Sequence, residues 1–209
     1  MSDTPGNVKV TRADWLNVAK DALISDGVDQ VKVLLLSERL DVSRSSFYWY
    51  FKSRSDLLDA LLDDWEKTNT AALTKQAETP APSITAAVCN IFRCVIDTEM
   101  FNTPLDFAIR DWARKSGKVR RALDQSDATR IAAITAMFAR YDYPADEART
   151  RALVLYYMQM GYNAADLQEP LEDRLKQVPD YLYVFTGQRV QDGELEAFSR
   201  FARAVADRN

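Results

Sequence analysis

The chain has 209 residues, of which 47% are hydrophobic and 28% charged, a composition that is typical of a globular protein and excludes disordered or collagen-like chains. It contains no histidine, which excludes Ser-His-Asp and Cys-His catalytic pairs, zinc sites with histidine ligands and imidazole acid–base catalysis. The 27 basic and 31 acidic side chains give a net charge of −4, which argues weakly against a protein that coats nucleic acid.

The N-terminal third of the sequence predicts four consecutive helices. Glycine (6) and proline (7) are both rare, which favours long helices over strands and turns. Thr11 is a good N-cap and Gly27 a good stop for the first helix, and either Ser53 or Ser55 can cap the fourth. The four helices are expected over residues 11–26, 33–40, 44–50 and from 53 or 55 to 65.

Proline marks the helix boundaries in the rest of the chain. The segment 79–83 is rich in proline and indicates a boundary. Pro144 and Pro170 suit the first turn of a helix, and Gly187 suits a helix stop. Between these positions the apolar residues repeat with a helical period. The predicted helices cover residues 84–96, 105–115, 119–141, a stretch that begins at 144, 170–186 and 194–206.

The helix that follows Pro144 is apolar on nearly every face from residue 151 to residue 167. Such a helix must be buried on all sides, and a chain of this size offers few places for it. The simplest arrangement puts one face on the core of its own chain and the other on a partner chain. Small residues that would allow two helices to approach closely are Ala152, Gly161, Ala164 and Ala165. The sequence therefore predicts a homodimer with a two-fold interface.

Neither cysteine indicates a disulfide or a metal site. Cys89 and Cys94 are five residues apart on a predicted helix, so they lie on different faces, and two thiols are too few for a metal cage. No metal and no cofactor is therefore expected. The first ten residues form a short polar segment, and no apolar run approaches the ~20 residues of a membrane span. These features predict a cytoplasmic protein that does not associate with a membrane.

Residues 33–50 have the dimensions of a helix-turn-helix motif. A helix of about eight residues, a short turn and a second short helix are the parts of this motif, and the second helix enters the major groove of DNA. The local charge agrees with this interpretation. Between residues 32 and 55 there are five basic and two acidic side chains, although the whole chain is acidic.

Residues 11–65 resemble the DNA-binding domain of the TetR/AcrR family of transcriptional regulators, most clearly over 40–58. The family segment typically reads Ala-Gly-Val-Ser, a basic or small residue, Gly-Thr-Leu-Tyr, two further residues, Phe, then Lys or Arg three positions on. Asp41 replaces the usual glycine, and Tyr50 stands where His is frequent. The segment Arg110-Asp111-Trp112-Ala113 and the helix after Pro144 are similar to a subset of the family's regulatory domains. The matching stretch of this chain is Leu40-Asp41-Val42-Ser43-Arg44-Ser45-Ser46-Phe47-Tyr48-Trp49-Tyr50-Phe51-Lys52-Ser53-Arg54-Ser55-Asp56-Leu57-Leu58.

The resemblance implies an all-α protein with two domains. An N-terminal three-helix, helix-turn-helix DNA-binding domain with a connecting fourth helix would occupy residues 1–66. A C-terminal helical bundle over 67–209, which carries 19 basic and 19 acidic residues, would bind a small effector and dimerise. The implied function is a ligand-responsive regulator, most often a repressor, that binds a palindromic operator in double-stranded DNA as a dimer. Effector binding in the bundle would alter the affinity for DNA.

The candidate DNA contacts lie on or beside the second helix of the motif. Ser43 is expected to cap this helix and to face a phosphate, and Arg44 can reach guanine O6 and N7. Tyr48 resembles the family's phosphate-contacting tyrosine. Trp49 either packs on a sugar or a thymine methyl group or is an exposed brace. The complete set is Lys32, Ser43, Arg44, Ser45, Ser46, Tyr48, Trp49, Lys52 and Arg54.

Two aromatic residues of the same segment are predicted to be core residues and not DNA contacts. Phe47 and Phe51 are four residues apart, so both point to the same side of a helix, towards the first helix of the domain. The role of Tyr50 stays open at this stage.

The candidate effector pocket lies in the C-terminal bundle. Aromatic and methionine side chains line most apolar pockets, although each is also an ordinary core residue. Arg93, Asp97 and Arg110 would be polar anchors if they faced inward; otherwise the pocket is purely apolar. A small apolar or amphipathic effector is expected. The candidate residues are Phe92, Arg93, Met100, Phe107, Arg110, Trp112, Met137, Tyr141, Tyr156 and Met160.

Two other functions remain open from the sequence. The first is a helical enzyme that uses carboxylates, tyrosine or lysine, and the missing histidine argues against it. The second is a protein-binding dimer without DNA activity, and the basic recognition helix argues against that.

Overall fold

A computed structural model gives the structure of residues 10–165, 167, 169–191 and 193–208. Every regular element in these residues is helical and none of them lies in a strand, so the prediction of an all-α protein is confirmed. A 3-10 turn covers Val28–Gln30 and a π-helical turn covers Glu66–Thr70. The α-helices are α1 (Arg12–Asp26), α2 (Val33–Arg39), α3 (Arg44–Phe47), α4 (Arg54–Trp65), α5 (Ala71–Glu78), α6 (Ile84–Ile96), α7 (Thr103–Ala113), α8 (Gly117–Ala139), α9 (Ala145–Ala164), α10 (Leu171–Thr186) and α11 (Glu194–Ala206).

Local capping fixes both ends of α1 as predicted. The Thr11 hydroxyl accepts a hydrogen bond from the Asp14 amide (3.2 Å), and the Asp14 carboxylate accepts one from the Thr11 amide (2.7 Å). The pKa of Asp14 is lowered by its bonds to Thr11, the side-chain bond being the larger cause. At the other end Gly27 has a φ of 79°, and its amide donates to the Leu23 carbonyl.

The cap of α4 resolves the choice between the two candidate serines. The Ser53 hydroxyl accepts from the Asp56 amide (3.2 Å), and the Asp56 carboxylate accepts from the Lys52 amide (2.8 Å). Ser53 is therefore the residue that caps α4.

Helix α3, the second helix of the predicted motif, is shorter than expected. Its α-helical part ends at Phe47, and the amides of Tyr48, Trp49 and Tyr50 each bond to the carbonyl three residues earlier. Of the expected span 44–50, residues 48–50 thus form a turn with hydrogen bonds between residues three apart and do not continue the α-helix.

The chain divides into two compact units. Unit 1 comprises the described residues up to Trp65 together with Pro104–Arg120, and unit 2 comprises Glu66–Thr103 and the described residues from Arg121 onward. The sequence assigned 104–120 to the second domain, whereas the structure packs this segment into unit 1. A buried hydrogen bond explains the packing, since the Trp65 indole N–H donates to the Asp106 carboxylate at 2.9 Å. The different roles of the two predicted domains stay predictions.

Unit 2 is built around α6, of which ten residues are buried. Phe92 of α6 makes edge contacts with Phe185 of α10 and Phe198 of α11, at centroid distances of 6.2 and 6.1 Å. The two ends of α10 follow the predicted pattern, with Pro170 at the N-cap and Gly187 in the left-handed conformation. In the part of the chain that the structure describes, no helix is long and apolar enough to cross a membrane.

Helix α9 has two apolar faces, as its sequence predicts. Its inner face is buried in unit 2 through Ala148, Ala152, Leu155 and Tyr156. On the outer face Val154 and Tyr157 are 51% and 55% exposed. Of the predicted small contact residues, Ala152 lies in the core of its own chain, whereas Gly161, Ala164 and Ala165 are exposed. Burial of one face in the chain's own core is thus confirmed, and the homodimer stays a prediction.

Candidate nucleic-acid interface and effector cavity

The turn between α2 and α3 folds back on α2 through backbone hydrogen bonds. The Leu40 amide donates to the Leu36 carbonyl (3.1 Å), and the Val42 amide donates to the Ser37 carbonyl (3.0 Å). Asp41 adopts the left-handed conformation with a φ of 51°. This is the conformation expected for the position that the family usually fills with glycine. The turn therefore leads directly into α3.

An aromatic cluster fixes α3 against α1. Phe47 and Phe51 are buried and stack on one another with centroids 5.4 Å apart. Phe47 also makes an edge contact with the buried Trp15 of α1 at 5.3 Å. The prediction that both phenylalanines are core residues is confirmed. Because this face of α3 is anchored, the opposite face is held towards solvent.

The outward face of α3 and the turn that follows it carry exposed polar and aromatic side chains. Arg44 and Ser45 are exposed, and Tyr48 and Trp49 are 62% and 74% exposed. Ser46 is half-buried, and its hydroxyl donates to the Ser43 carbonyl (2.9 Å). Two large exposed rings beside an arginine make a surface that can contact base edges and sugars in a groove.

Ser43 does not cap α3 through its hydroxyl, so that expectation was wrong. The residue occupies the N-cap position with an extended backbone (φ −69°, ψ 146°), but its side chain makes no capping bond. Its Oγ instead pairs with the Ser45 Oγ at 2.7 Å. The hydroxyl of Ser45, two residues further on, is a closer partner for it than the backbone amides of the first turn. Ser43 lies exposed beside Ser45, on the side that carries Arg44.

Three further cations lie in the same domain as this face. Lys32 and Lys52 are exposed, and the Lys32 ammonium is 3.5 Å from the Gln30 amide oxygen. Arg12, which the sequence reasoning missed, lies exposed in the first turn of α1 with its guanidinium 4.8 Å from the centre of the Phe51 ring. In the sequence this cation is recognisable only as a basic residue that directly follows the Thr11 cap.

Arg54 is engaged inside its own domain. Its Nε donates to the Val31 carbonyl and one terminal nitrogen donates to the Val28 carbonyl, both at 2.6 Å. The guanidinium thereby joins the start of α4 to the turn that precedes α2. Tyr50, left open by the sequence, has a comparable role, since its hydroxyl donates to the Val10 carbonyl (2.7 Å).

Unit 2 contains a largely apolar cavity between α6, α9, α10 and α11. The space inside it that solvent can enter is about 80 Å³. This is smaller than a typical preformed small-molecule site, so a ligand of ordinary size would have to move the surrounding helices apart. Its lining residues are Phe92, Val95, Ile96, Met158, Gln159, Tyr162, Glu169, Leu171, Arg174, Leu175, Gln177, Val178, Tyr181, Phe198 and Ala202.

The structure does not bring the ten predicted effector residues together. Among them Phe92 lines the cavity of unit 2. Phe107, Arg110 and Trp112 instead line a groove of unit 1 beside the end of α1.

The other predicted effector residues have structural partners or lie elsewhere on unit 2. Arg93 bonds to the Asn90 side chain (2.9 Å) and lies over Phe201, and the Tyr141 hydroxyl donates to the Ala81 carbonyl (2.8 Å). Met137 and Tyr156 are buried in the core, Met160 is half-buried against it, and Met100 is exposed.

A buried arginine that the sequence reasoning missed lies in the core of unit 2. Arg130 of α8 is fully buried, and its Nε donates to the Thr70 hydroxyl (3.1 Å). Its guanidinium lies 5.2 Å from the centre of the Phe101 ring and 3.4 Å from the Tyr156 hydroxyl. Tyr156 in turn donates to the Asp127 carboxylate (2.6 Å). A single arginine on the otherwise apolar face of a helix was the only indication in the sequence.

The described residues offer no metal site, since no group of three or more Cys, Asp and Glu side chains comes together in them. Burial raises the pKa of both Cys89 and Cys94 to about 12. Both thiols are therefore protonated at neutral pH, and neither is a ready nucleophile or metal ligand.

Comparison with known proteins bears first on unit 1. Residues 16–61 match the family model described as bacterial regulatory proteins, tetR family. Two curated relatives, both from Pseudomonas putida, are the HTH-type transcriptional regulator TtgR and the probable HTH-type transcriptional regulator ArpR. Each is 30% identical over 66 residues, which cover 32% of this chain and 31% of the relative. The match thus spans about a third of the curated relatives' length.

Solved structures extend the similarity of fold to the whole chain. The ketosteroid transcriptional regulator KstR2 of Mycobacterium tuberculosis aligns with a TM-score of 0.60 and 14% identity, over 90% of this chain and 98% of that one. GusR of Salmonella enterica aligns with a TM-score of 0.57 and 16% identity, over 94% and 95%. At such low identity these likenesses concern the fold alone.

Proposed function

We propose that this chain, whose residues 16–61 match the tetR family of bacterial regulatory proteins, is a cytoplasmic, ligand-responsive transcriptional regulator, a repressor, that binds a palindromic DNA operator as a dimer. The observation that carries the proposal is the outward face of α3. Arg44 of α3, and Tyr48 and Trp49 in the turn that follows it, are exposed, and a buried aromatic cluster anchors the opposite side of α3. Binding and switching, rather than catalysis, is the role that this arrangement supports.

In the proposed complex α3 lies in the major groove. Arg44 is at the start of the helix, where its guanidinium can donate two hydrogen bonds to guanine O6 and N7. Ser45 and Ser46 are small enough to let the helix come close to the bases. Tyr48 and Trp49 contact sugar and phosphate at the groove edge, and the remaining cations hold the backbone. These cations are Arg12, Lys32 and Lys52.

The proposed dimer uses the exposed apolar surface of α9 and α10. We call this surface the outer apolar patch, and it comprises Val154, Tyr157, Gly161, Tyr183 and Val184. Exposed apolar side chains on two neighbouring helices are a common mark of a protein interface. A Cβ added to Gly161 would meet nothing within 4 Å in the single chain, so this position is open for a partner helix. A two-fold pairing through this patch would present two copies of α3 to a palindrome.

The effector is proposed to bind the cavity of unit 2. A ligand alters DNA affinity only if it binds one arrangement of the dimer better than the other. A cavity formed by α9, α10 and α11 suits this role, since α9 and α10 also carry the outer apolar patch. Occupation of the cavity would shift these helices and with them the spacing of the two α3 helices.

The test of DNA binding begins with a selection from a random duplex library, because the operator is not known beforehand. We expect the wild-type chain to enrich a palindrome and to bind it with an affinity that falls as salt rises. Arg44→Ala should weaken this binding about tenfold or more, since a bidentate contact to guanine contributes about 1–3 kcal/mol. Arg200→Ala is the matched control, because Arg200 is an exposed arginine of α11 in unit 2. Failure to enrich any palindrome would contradict the proposal.

A further inference from the structure

The cavity of unit 2 has an apolar interior and a polar rim of uneven charge. Phe92, Val95 and Phe198 form part of its apolar wall, from α6 and α11. The rim is built mainly by α9 and α10, and Tyr162 and Arg174 lie on it. An interior of this kind accepts a hydrophobic body, and the rim decides which polar group that body carries.

Arg174 is the cation of this rim and lacks a carboxylate partner. It is half-buried, and its guanidinium lies 5.4 Å from the centre of the Tyr162 ring. Among the described residues it makes no ion pair and no side-chain hydrogen bond, and the ring is its recorded partner. A guanidinium that is partly withdrawn from water and not paired with an anion favours an anionic ligand.

The acidic residues near Arg174 are engaged elsewhere. Glu172 accepts two hydrogen bonds from Arg203 of α11, at 2.8 and 2.9 Å, and the pKa of Glu172 is lowered by this contact. Asp173 accepts from Lys176 at 2.8 Å. Glu169 is exposed at the mouth and accepts the Tyr162 hydroxyl at 2.8 Å. The rim thus has a half-buried positive charge at Arg174 and an exposed negative charge at Glu169.

Uncharged donors stand on the same rim. The Tyr181 hydroxyl donates to Oε1 of Gln177 at 3.2 Å, which leaves the amide nitrogen of Gln177 as a donor. Gln159 adds a second amide, whose nitrogen donates to Asn163 at 2.9 Å. Amide donors beside a guanidinium can share the two oxygens of one carboxylate.

We propose that the effector of this regulator is an amphipathic monocarboxylate, with its apolar body in the cavity and its carboxylate on Arg174. This inference rests on the proposed function, because it assumes that the cavity is the effector site. A cationic ligand would be repelled by the positive charge of Arg174, and a neutral ligand would leave the guanidinium without an anionic partner. One carboxylate is neutralised by the single charge of Arg174, whereas a doubly charged phosphate would keep an uncompensated negative charge near Glu169.

The test compares carboxylates with matched alcohols on the full chain. Octanoate and 4-phenylbutyrate are titrated by calorimetry alongside octan-1-ol and 4-phenylbutan-1-ol. We expect each carboxylate to bind about tenfold more tightly than its alcohol, because a hydrogen bond between two charged groups is stronger than one to a neutral hydroxyl. Arg174→Gln should abolish that preference and leave alcohol binding unchanged. Arg200→Gln, which removes an exposed arginine from the same unit, should retain it.

A second variant tests the cavity itself. Ala202 lines the cavity and is buried, so Ala202→Phe should block carboxylate and alcohol alike, with folding checked by circular dichroism. Equal binding of carboxylates and alcohols, or a carboxylate preference that survives Arg174→Gln, would overturn the inference. So would failure of every carboxylate to bind.

Operator binding, measured separately on the selected palindrome, distinguishes the two proposals. Wild-type chain that binds the palindrome but ignores carboxylates refutes the ligand class and leaves the regulator intact. Wild-type chain that binds no palindrome refutes the proposed function. A carboxylate that binds the cavity and also changes the operator affinity several-fold supports both.

Discussion

Asp41 is a residue whose backbone conformation does not suit its side chain. Its φ of 51° lies in the left-handed region, its side chain is exposed, and it forms no side-chain hydrogen bond in the described structure. We predict that Asp41→Gly raises the free energy of unfolding of unit 1 by about 0.5–1 kcal/mol. Relief of the left-handed strain exceeds the entropy that glycine adds to the unfolded chain. Urea denaturation followed by tryptophan fluorescence is a suitable measurement, since all four tryptophans lie in unit 1.

The same substitution inside a helix is the control for this prediction. Asp21 is exposed within α1, where glycine should cost about 0.3 kcal/mol, since aspartate is already a poor helix former. A loss of stability in both variants would show that the conformation of residue 41 is not strained. Operator affinity should change less than about twofold in Asp41→Gly, because the turn keeps its backbone path.

At the scale of elements, Arg54 links the start of α4 to the turn before α2. Two hydrogen bonds from its guanidinium to the Val28 and Val31 carbonyls hold the motif on its supporting helix. We predict that Arg54→Gln lowers the free energy of unfolding by about 1 kcal/mol, a low value because the arginine is exposed and its hydrogen bonds compete with water. Lysine should not rescue the loss, because it cannot donate along two fixed directions.

The salt dependence of DNA binding separates this positioning role from a phosphate contact. Arg54→Gln should weaken operator binding without changing the slope of log affinity against log salt. Lys52→Gln, at an exposed cation of the interface, should reduce the slope by about 0.9 and leave stability unchanged. If Arg54→Gln reduced the slope by a similar amount at full stability, the arginine would be a phosphate contact, as the sequence suggested.

The elements that the sequence predicted well are those fixed by local contacts. Both ends of α1 depend on residues within three or four positions, Thr11 with Asp14 and Gly27 with Leu23. The same holds for the stop of α10 at Gly187. The role of Arg54 was harder to predict, because its carbonyl partners lie 23 and 26 residues away in the sequence. Its positive charge alone suggested a contact to DNA.

The cavity was the hardest feature to predict because aromatic residues fill cores and pockets alike. Tyr156 was chosen as a lining residue but is buried and bonded to Asp127. The residues that distinguish the cavity, Tyr162 and Arg174, lie near the facing ends of two helices, and their approach depends on how α9 and α10 pack. Helical periodicity gives the face of each residue but not which faces meet.

At the scale of the whole molecule, the outer apolar patch sets the expected state of assembly. Val154, Tyr157 and Val184 are 51%, 55% and 68% exposed in the single chain, an unusual exposure for large apolar side chains on neighbouring helices. Pairing of two chains would bury them and would bring together the small residues Gly161 and Ala164 of the same helix. A dimer is also what a palindromic operator requires, since one α3 reads only one half-site.

We predict that Tyr157→Glu converts the dimer to a monomer, because an unpaired carboxylate in an apolar interface loses its water without gaining a partner. The dimer dissociation constant should rise about 100-fold or more, which corresponds to about 2.7 kcal/mol, and sedimentation velocity at micromolar concentration measures it. Ala128→Glu, at an exposed position of α8, should remain dimeric.

Operator affinity should fall together with dimerisation, while binding of a carboxylate to the cavity persists in the monomer. A variant that stays dimeric would place the interface elsewhere and remove the structural basis for coupling α9 and α10 to the two α3 helices. A wild-type chain that is monomeric at this concentration would contradict the proposed dimer.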